Sequence, residues 1–408
     1  MYKKKRAQVT VYIILGIIIL FVAIFLFYLR GRTEGETGMQ ELVIAQKIPR
    51  EVRPITNYVT TQLDDAAKKG IYLIGMQGAY IYQSQGGPIP DPVEEGIDFI
   101  YYNDYNVSYN IYKKNSNLFN YYFYKPRYYP WYYYPYHNFP KSWEEGSFGG
   151  FFGTSNLPPL NGSDPFSIES QLTHYITNYL ERNIDFSIFD NQGFEISHGK
   201  INVSIIISEN DVIAFLEYPL GIKKKVTNMI TNVSYFYTNP QIRLKKIYNF
   251  TDFIINKDIT DILFDINDSA NDRDDITIEK IEKAYNYDDI IIMSDNKSML
   301  YAEPYIFRFA RENRYPALRY IAIPKITFFG AQAIMNAKIT ESRINPKADD
   351  PDEDVIIFTY NPPLPYPVTQ SDFDRGYVDL TVYAEEKNHA DYKDWQDLKI
   401  DVIGESEV

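Results

Sequence analysis

Cysteine is absent from the 408 residues, which excludes every disulfide framework and every thiolate metal site. Histidine is nearly absent. His137, His174, His198 and His389 form no H-E-x-x-H or other ligand spacing, so each is expected at a surface or in a turn. Basic charge is in deficit: 41 Lys and Arg stand against 54 Asp and Glu, a net −13, and such a surface lacks the basic footprint that a nucleic-acid partner requires. There is no G-x-S-x-G elbow, phosphate loop or dinucleotide fingerprint. Ser294-Asp295-Asn296-Lys297 fits S-x-x-K but has no K-T-G partner, and carboxylate pairs are too common in so acidic a chain to nominate a glycosidase. The expectation is a protein that is not an enzyme, with an extracellular hydrolase as the remotest alternative.

What is present begins with Val9 to Leu29, 21 residues without charge, preceded by Lys3, Lys4, Lys5 and Arg6. A helix of that length spans roughly 30 Å, the hydrocarbon thickness of a bilayer. The leading basic cluster outweighs Arg30 and Arg32, which Glu34 and Glu36 dilute, so the amino terminus is expected inside and the bulk of the chain outside. Cleavage as a secretory signal is not expected, because RGRTEGETG follows the run where small residues of the A-x-A kind would be needed. KKKRAQVTVYIILG also resembles the archaeal prepilin pattern, which implies cleavage between Ala7 and Gln8 and an alternative function as a pilin-like filament subunit. Such signals usually place Glu where this chain has Tyr12.

Seven N-x-[ST] sequons, at Asn106, Asn161, Asn202, Asn232, Asn249, Asn267 and Asn296, all fall between residues 100 and 300 and agree with a glycosylated exterior. Beyond a Gly/Glu-rich stalk, Val59, Leu63 and Ala67 stand at helical spacing with Gly70 as the expected stop. The pattern recurs after Ser167. Tyr58-Val59 aligns with Tyr175-Ile176, Leu63-Asp64 with Leu180-Glu181, and Gln77-Gly78 with Gln192-Gly193, which reads as a duplicated helix, Gly-containing turn and strand. Together with KKxRAQVTVYIILG, YVTTQL…GIYLIGMQGAYI and QGFEI…NDVIAFLEYPLGI, this makes roughly the first 225 residues similar to a group of uncharacterised archaeal single-pass membrane surface proteins. That resemblance implies architecture and carries no activity. Where the group's pattern often has Cys, this chain has Gln62, so no redox role follows.

Between the copies, residues 120–143 are too rich in Tyr and Pro for regular helix. Tyr128, Tyr129, Trp131, Tyr133 and Tyr134 would form either a ligand-binding loop that stacks on sugars or proteins, or a cover folded over the body. Glu209-Asn210-Asp211 marks a hairpin between two strands, Ile276–Tyr285 has the pattern of a polar helix, and Asp265–Asp275 reads as a solvated acidic loop.

Near the carboxyl terminus Ile356, Phe358 and Tyr360 alternate, as do Val378, Leu380 and Val382, and Leu398, Ile400 and Val402, the period of half-buried strands. With ENRYPALRYIAIPKITFFG, ADDPDEDVIIFTY and GYVDLTVYAEEKNHADYKDWQDLKIDV in order, residues 312–408 resemble the immunoglobulin-like and cadherin-like domains of prokaryotic surface proteins. That resemblance implies calcium at the acidic turn, held by Asp350, Asp352 and Asp354 with Glu312 from the junction; the plain alternative is a solvated turn.

The sequence therefore gives an α+β fold: a cytoplasmic basic tail (1–8), a transmembrane helix (9–29), a stalk (30–48), a first α/β unit (49–119), a Tyr/Pro-rich insertion (120–165), a second α/β unit (166–311) and an immunoglobulin-like β-sandwich (312–408). The expected function is extracellular recognition, attachment or envelope structure at the cell membrane. The expected partners are the membrane, other surface proteins or glycans, and further copies of the chain. No cofactor is expected apart from calcium.

Overall fold

The computed structural model describes residues 48–113, 152–162, 164–273, 275–319, 321, 326–329 and 337–405. The apolar run 9–29 and the aromatic positions Tyr128, Tyr129, Trp131, Tyr133 and Tyr134 lie outside the described residues. Among the described residues no helix is long and apolar enough to cross a membrane. The chain folds as helices and mostly antiparallel sheets, an α+β arrangement.

In chain order the elements are α1 (Arg53–Met76), β1 (Phe99–Tyr102), β2 (Tyr105–Tyr112), β3 (Thr154–Ser155), α2 (Ile168–Asn183), α3 (Ser187–Asp190), β4 (Phe194–His198), β5 (Asn202–Ile207), β6 (Val212–Lys224), β7 (Met229–Thr238) and α4 (Leu244–Asp258). There follow β8 (Ile276–Tyr285), β9 (Asp288–Leu300), β10 (Glu303–Arg311), β11 (Ala317–Leu318), β12 (Ile326–Phe329), β13 (Lys338–Ile339), α5 (Glu341–Ile344), β14 (Ala348–Asp349), β15 (Ile356–Asn361), β16 (Tyr366–Pro367), α6 (Gln370–Arg375), β17 (Tyr377–Glu386) and β18 (His389–Glu405). They fall into two compact units. One comprises 48–71, 81–90 and 160–245, the other 72–80, 91–159 and 246 onward. The span 166–311 is thus divided between them, because β10 pairs in parallel with β2 and α4 through β10 join the second unit.

In the first unit, Val59, Leu63 and Ala67 are buried as their spacing requires, and so are Leu172, Ile176 and Leu180 on α2. Gly70 does not stop α1, which continues to Met76. Its lack of a side chain serves a close approach instead: a Cβ there would sit 3.0 Å from Leu172 Cδ2 and 3.1 Å from Tyr175 Cδ1. Gly78 and Gly193 both take left-handed φ, so the two expected turns exist; after Gly193 a strand follows at once, whereas the strand after Gly78 waits until Phe99. The sheet is built around the long β6, which pairs with β5 along its first half and β4 along its second on one edge, and with β7 on the other. Ser208 N–H to Asp211 C=O closes the β5–β6 hairpin at the expected turn.

In the second unit the sheet runs β1-β2-β10-β9-β8, with β3 on β2. Ile276–Tyr285 is strand β8 and not a helix: Ile276 through Ile281 pair residue by residue with β9 from Asp295 to Ile290. Strand pairing with a long apolar neighbour decides the conformation of a segment whose own helical period is weak. Gly75 in α1 admits the β10 backbone, since a Cβ would lie 2.2 Å from the Ile306 carbonyl oxygen. Residues from 312 form a sheet of order β12-β18-β17-β15, with the small ladders β11-β14 and β13-β16 beside it. Val378, Leu380 and Val382 face Ile400, Leu398 and Gln396 in register, and the apolar five of these form one buried cluster with Leu318, Ile339, Ile344 and Val368. Thr369 caps α6 reciprocally with Asp372, and Gly376 ends it in the left-handed region.

Candidate functional site

The most concentrated polar chemistry lies where β10 leaves its sheet. Arg311 is the last residue of that strand, and Glu312-Asn313-Arg314 follow it outside any helix or strand. Arg314 is 1% exposed. Its Nε and Nη2 donate to Asp352 Oδ1 at 3.0 and 2.7 Å, its backbone N–H donates to Asp352 Oδ2 at 2.6 Å, and Nη2 also reaches the Pro351 carbonyl at 2.8 Å. Its Nη1 lies 2.8 Å from Asp258 Oδ2, at the carboxyl end of α4. Arg311 donates Nη1 to Asp258 Oδ1 at 2.9 Å and Nη2 to Asp289 Oδ2 on β9 at 2.7 Å, with Nε 3.3 Å from Asp352 Oδ1. Two buried guanidinium forks thus tie helix, sheet and the Asp350–Asp354 turn together. Planar bidentate donors suit this work, because each fork satisfies several carboxylate lone pairs at once.

A second tier surrounds that pair. Glu312 accepts from Lys113 N–H and Lys113 Nζ, both at 2.7 Å, and Lys113 Nζ also contacts the Tyr392 hydroxyl. Asp288 accepts from the Asn313 backbone at 2.8 Å and from the Tyr109 hydroxyl at 2.5 Å. Asp354 pairs with Lys283 and Glu353 with Lys280. Tyr287, His389, Tyr392 and Tyr315 stack in sequence, with ring centroids 4.7, 4.1 and 4.9 Å apart. His389 therefore sits inside an aromatic column and not at a free surface or turn; His174 is exposed on α2, and His198 is exposed on β4.

Burial opposes the charge of Asp352, yet Arg314 and Arg311 outweigh it and hold the carboxyl below the usual range. Arg314 and Arg311 are held above their ordinary range by Asp258 and Asp352, against the same desolvation. Asp350 differs. Burial, and then the neighbouring Asp352 charge, push it to about 7, although its Oδ1 accepts the Asp352 and Asp354 N–H groups. Burial likewise pushes Glu386 to about 8; the Asn313 amide at 2.9 Å pulls the other way, and the Asp350, Asp354 and Asp352 charges add to the rise. Among the described residues, Asp350 Oδ2, Glu386 Oε1 and Asn313 Oδ1 are buried without hydrogen-bond partners.

Of the residues expected to hold calcium, Asp350, Asp352 and Asp354 do share one turn, and Glu312 lies at the junction. Three of the four are engaged by the protein's own cations, Asp352 by two arginines, Asp354 by Lys283 and Glu312 by Lys113, while Asp350 Oδ1 accepts two backbone N–H groups. Among the described residues no group of three or more acidic or histidine side chains is arranged to hold a metal ion. As placed, this set does not fit calcium. The Arg311 and Arg314 partners went unread in the sequence. The available signal was the spacing R-E-N-R opposite D-D-P-D-E-D, two cations able to neutralise the acidic turn.

Beside the turn opens a cleft of about 660 Å³ between Ile262-Leu263-Phe264 and the Pro346–Asp350 segment. Its Arg319 is held bidentately by Asp349, both contacts at 2.8 Å. Of the sequon asparagines, Asn161, Asn202, Asn232, Asn249, Asn267 and Asn296 are exposed and Asn106 is half-buried. Ser294 and Lys297 do not form a catalytic pair: Lys297 contacts Asp275, and Asp295 accepts the Lys297 N–H and the Ser298 hydroxyl.

No protein-family model matches the chain, and no curated protein matches it. Among solved structures, one similarity is to the crystal structure of Drosophila N-cadherin EC1-4, at a TM-score of 0.17 and 10% identity, over 52% of this chain and 67% of that one. A likeness of that size carries no argument about fold or function.

Proposed function

We propose that the chain is a membrane-anchored cell-surface protein with a recognition, attachment or envelope-structural role, of the kind its first 225 residues resemble. In this reading residues 9–29 are the anchor, the exposed sequons other than Asn232 beside the β6–β7 tip carry glycans, and residues 312–408 form an immunoglobulin-like sandwich presented outward. One observation carries the structural part. The buried charges of the Arg311–Arg314 centre pair with one another across α4, β9 and the Asp350–Asp354 turn, an arrangement suited to fixing a module in place, which supports the structural reading. With no cysteine, such an exterior body is held by burial and internal ion pairing and not by disulfides.

The test is topology. In intact cells or right-side-out vesicles, added protease should remove the mass beyond Gly31 and spare the first residues. A protected large fragment would reverse the orientation and remove the surface role.

A further inference from the structure

The chain carries a net charge of −13, yet one hairpin tip is the opposite in character. The β6–β7 connection reads Lys223-Lys224-Lys225-Val226-Thr227-Asn228-Met229-Ile230. In register, Lys223 faces Ile230 and Lys224 faces Met229, so each of these lysines has an aliphatic side chain directly across the ribbon, one such pair on each face. Val226 is 86% exposed, Ile230 65% and Met229 40%. Asn228 takes the left-handed φ of +54° at the bend, and the Asn228 N–H to Lys224 C=O bond closes the turn, so the tip has a defined shape. Lys223 pairs with Glu195 at 3.1 Å; Lys224 and Lys225 have no ion-pair partner among the described residues. The core of the sheet ends before the tip: Ile222 is 1% exposed and is the last buried position of β6.

We propose that this tip is a membrane-surface docking element for an anionic bilayer. Val226, Met229 and Ile230 enter the boundary between headgroups and acyl chains. Lys224 and Lys225 lay their alkyl stems along the same boundary and meet lipid phosphates with their ammonium groups. The mixture selects a bilayer over other polyanions. A nucleic acid or an acidic glycan would engage the lysines and leave Val226 and Ile230 in water, whereas a lipid surface accepts both. The charge is also complementary: in a chain of net −13, three consecutive lysines mark the one stretch of the hairpin that an anionic surface attracts.

The absence of cysteine makes the test direct. Thr227→Cys carries a single environment-sensitive fluorophore on the full chain, reconstituted into vesicles of equal parts phosphatidylcholine and phosphatidylglycerol. Excess protein-free vesicles of the same lipid let the tip dock on either membrane. The expected result is a blue-shifted emission, quenched by a lipid-borne quencher, with no shift in pure phosphatidylcholine and none for a label at the exposed Glu303→Cys. Lys224→Gln with Lys225→Gln should lower the docked-to-free ratio by about 25-fold, since each lysine near an anionic surface contributes about fivefold. Val226→Asp with Ile230→Asp should abolish the shift. Emission that stays aqueous on anionic vesicles overturns the proposal, and so does an equal shift on neutral ones. If heparin shifts the emission and the aspartate variants do not alter that, the tip is a polyanion site and the proposal fails. Flotation with neutral vesicles reads the 9–29 anchor separately, so loss of the anchor and loss of tip docking are distinguishable.

Discussion

Arg314→Met removes a guanidinium that is 1% exposed and leaves Asp352 and Asp258 facing each other across the space it filled. Breaking one side of a buried ion pair costs about 3–5 kcal/mol, most of it the desolvation of the charge left behind. Asp352 keeps the backbone N–H of residue 314 at 2.6 Å and the more distant Arg311 Nε at 3.3 Å but loses both guanidinium contacts, so its carboxyl should rise toward protonation to relieve the cost. The loss should therefore be smaller in mild acid than at neutral pH. Arg314→Lys should not restore stability, because one ammonium cannot reproduce the contacts to Asp352, Asp258 and the Pro351 carbonyl. Asp352→Asn alone should also destabilise, leaving Arg314 without its main counter-charge. The double variant should lose less than the sum of the singles, with a coupling of about 2 kcal/mol. Urea midpoints of the full chain in non-ionic detergent, read by pulse proteolysis across the four-member cycle, measure this. Additivity within about 0.5 kcal/mol, or an Arg314→Met cost below about 1 kcal/mol, would refute the reasoning that this pair holds the module.

Glu386, raised to about 8, binds its proton more tightly folded than unfolded, so its contribution is present below its ordinary carboxylate range and is lost as pH rises through about 8. Glu386→Gln should flatten that decline and stabilise the protein by about 2 kcal/mol near pH 9, while changing little near pH 5, in paired melts. A variant as alkali-sensitive as the parent would contradict the assignment. Calcium and chelator should give coincident melting midpoints, since Asp352, Asp354 and Glu312 are already neutralised by protein cations; a rise with calcium that vanishes in Asp352→Asn would show that the ion displaces Arg314. Gly75→Ala should destabilise by about 1–3 kcal/mol by circular-dichroism melt, opposite in sign to the helix-propensity gain, because the new Cβ would lie 2.2 Å from the Ile306 oxygen.

The sequence by itself determined what depends on local period. Val59, Leu63 and Leu180 announced helices, Val378, Leu380, Val382, Leu398 and Ile400 announced strands, and Glu209-Asn210-Asp211 announced a hairpin, because which face is buried follows directly from spacing. Where two segments meet, period is silent. Gly70 looked like a stop and is a crossing point, which only Leu172 and Tyr175, about a hundred residues away, reveal. Ile276–Tyr285 looked helical and became a strand because β9 was there to pair with it. The acidic turn offers the same lesson in charge: Asp350, Asp352 and Asp354 are visible as a cluster in the sequence, but whether a metal ion, water or arginine neutralises them depends on what the fold brings opposite. Tertiary structure places Arg311 and Arg314 there, because the last residues of β10 run past the end of α4 and the turn together, and a buried carboxylate takes the nearest cation that can desolvate with it.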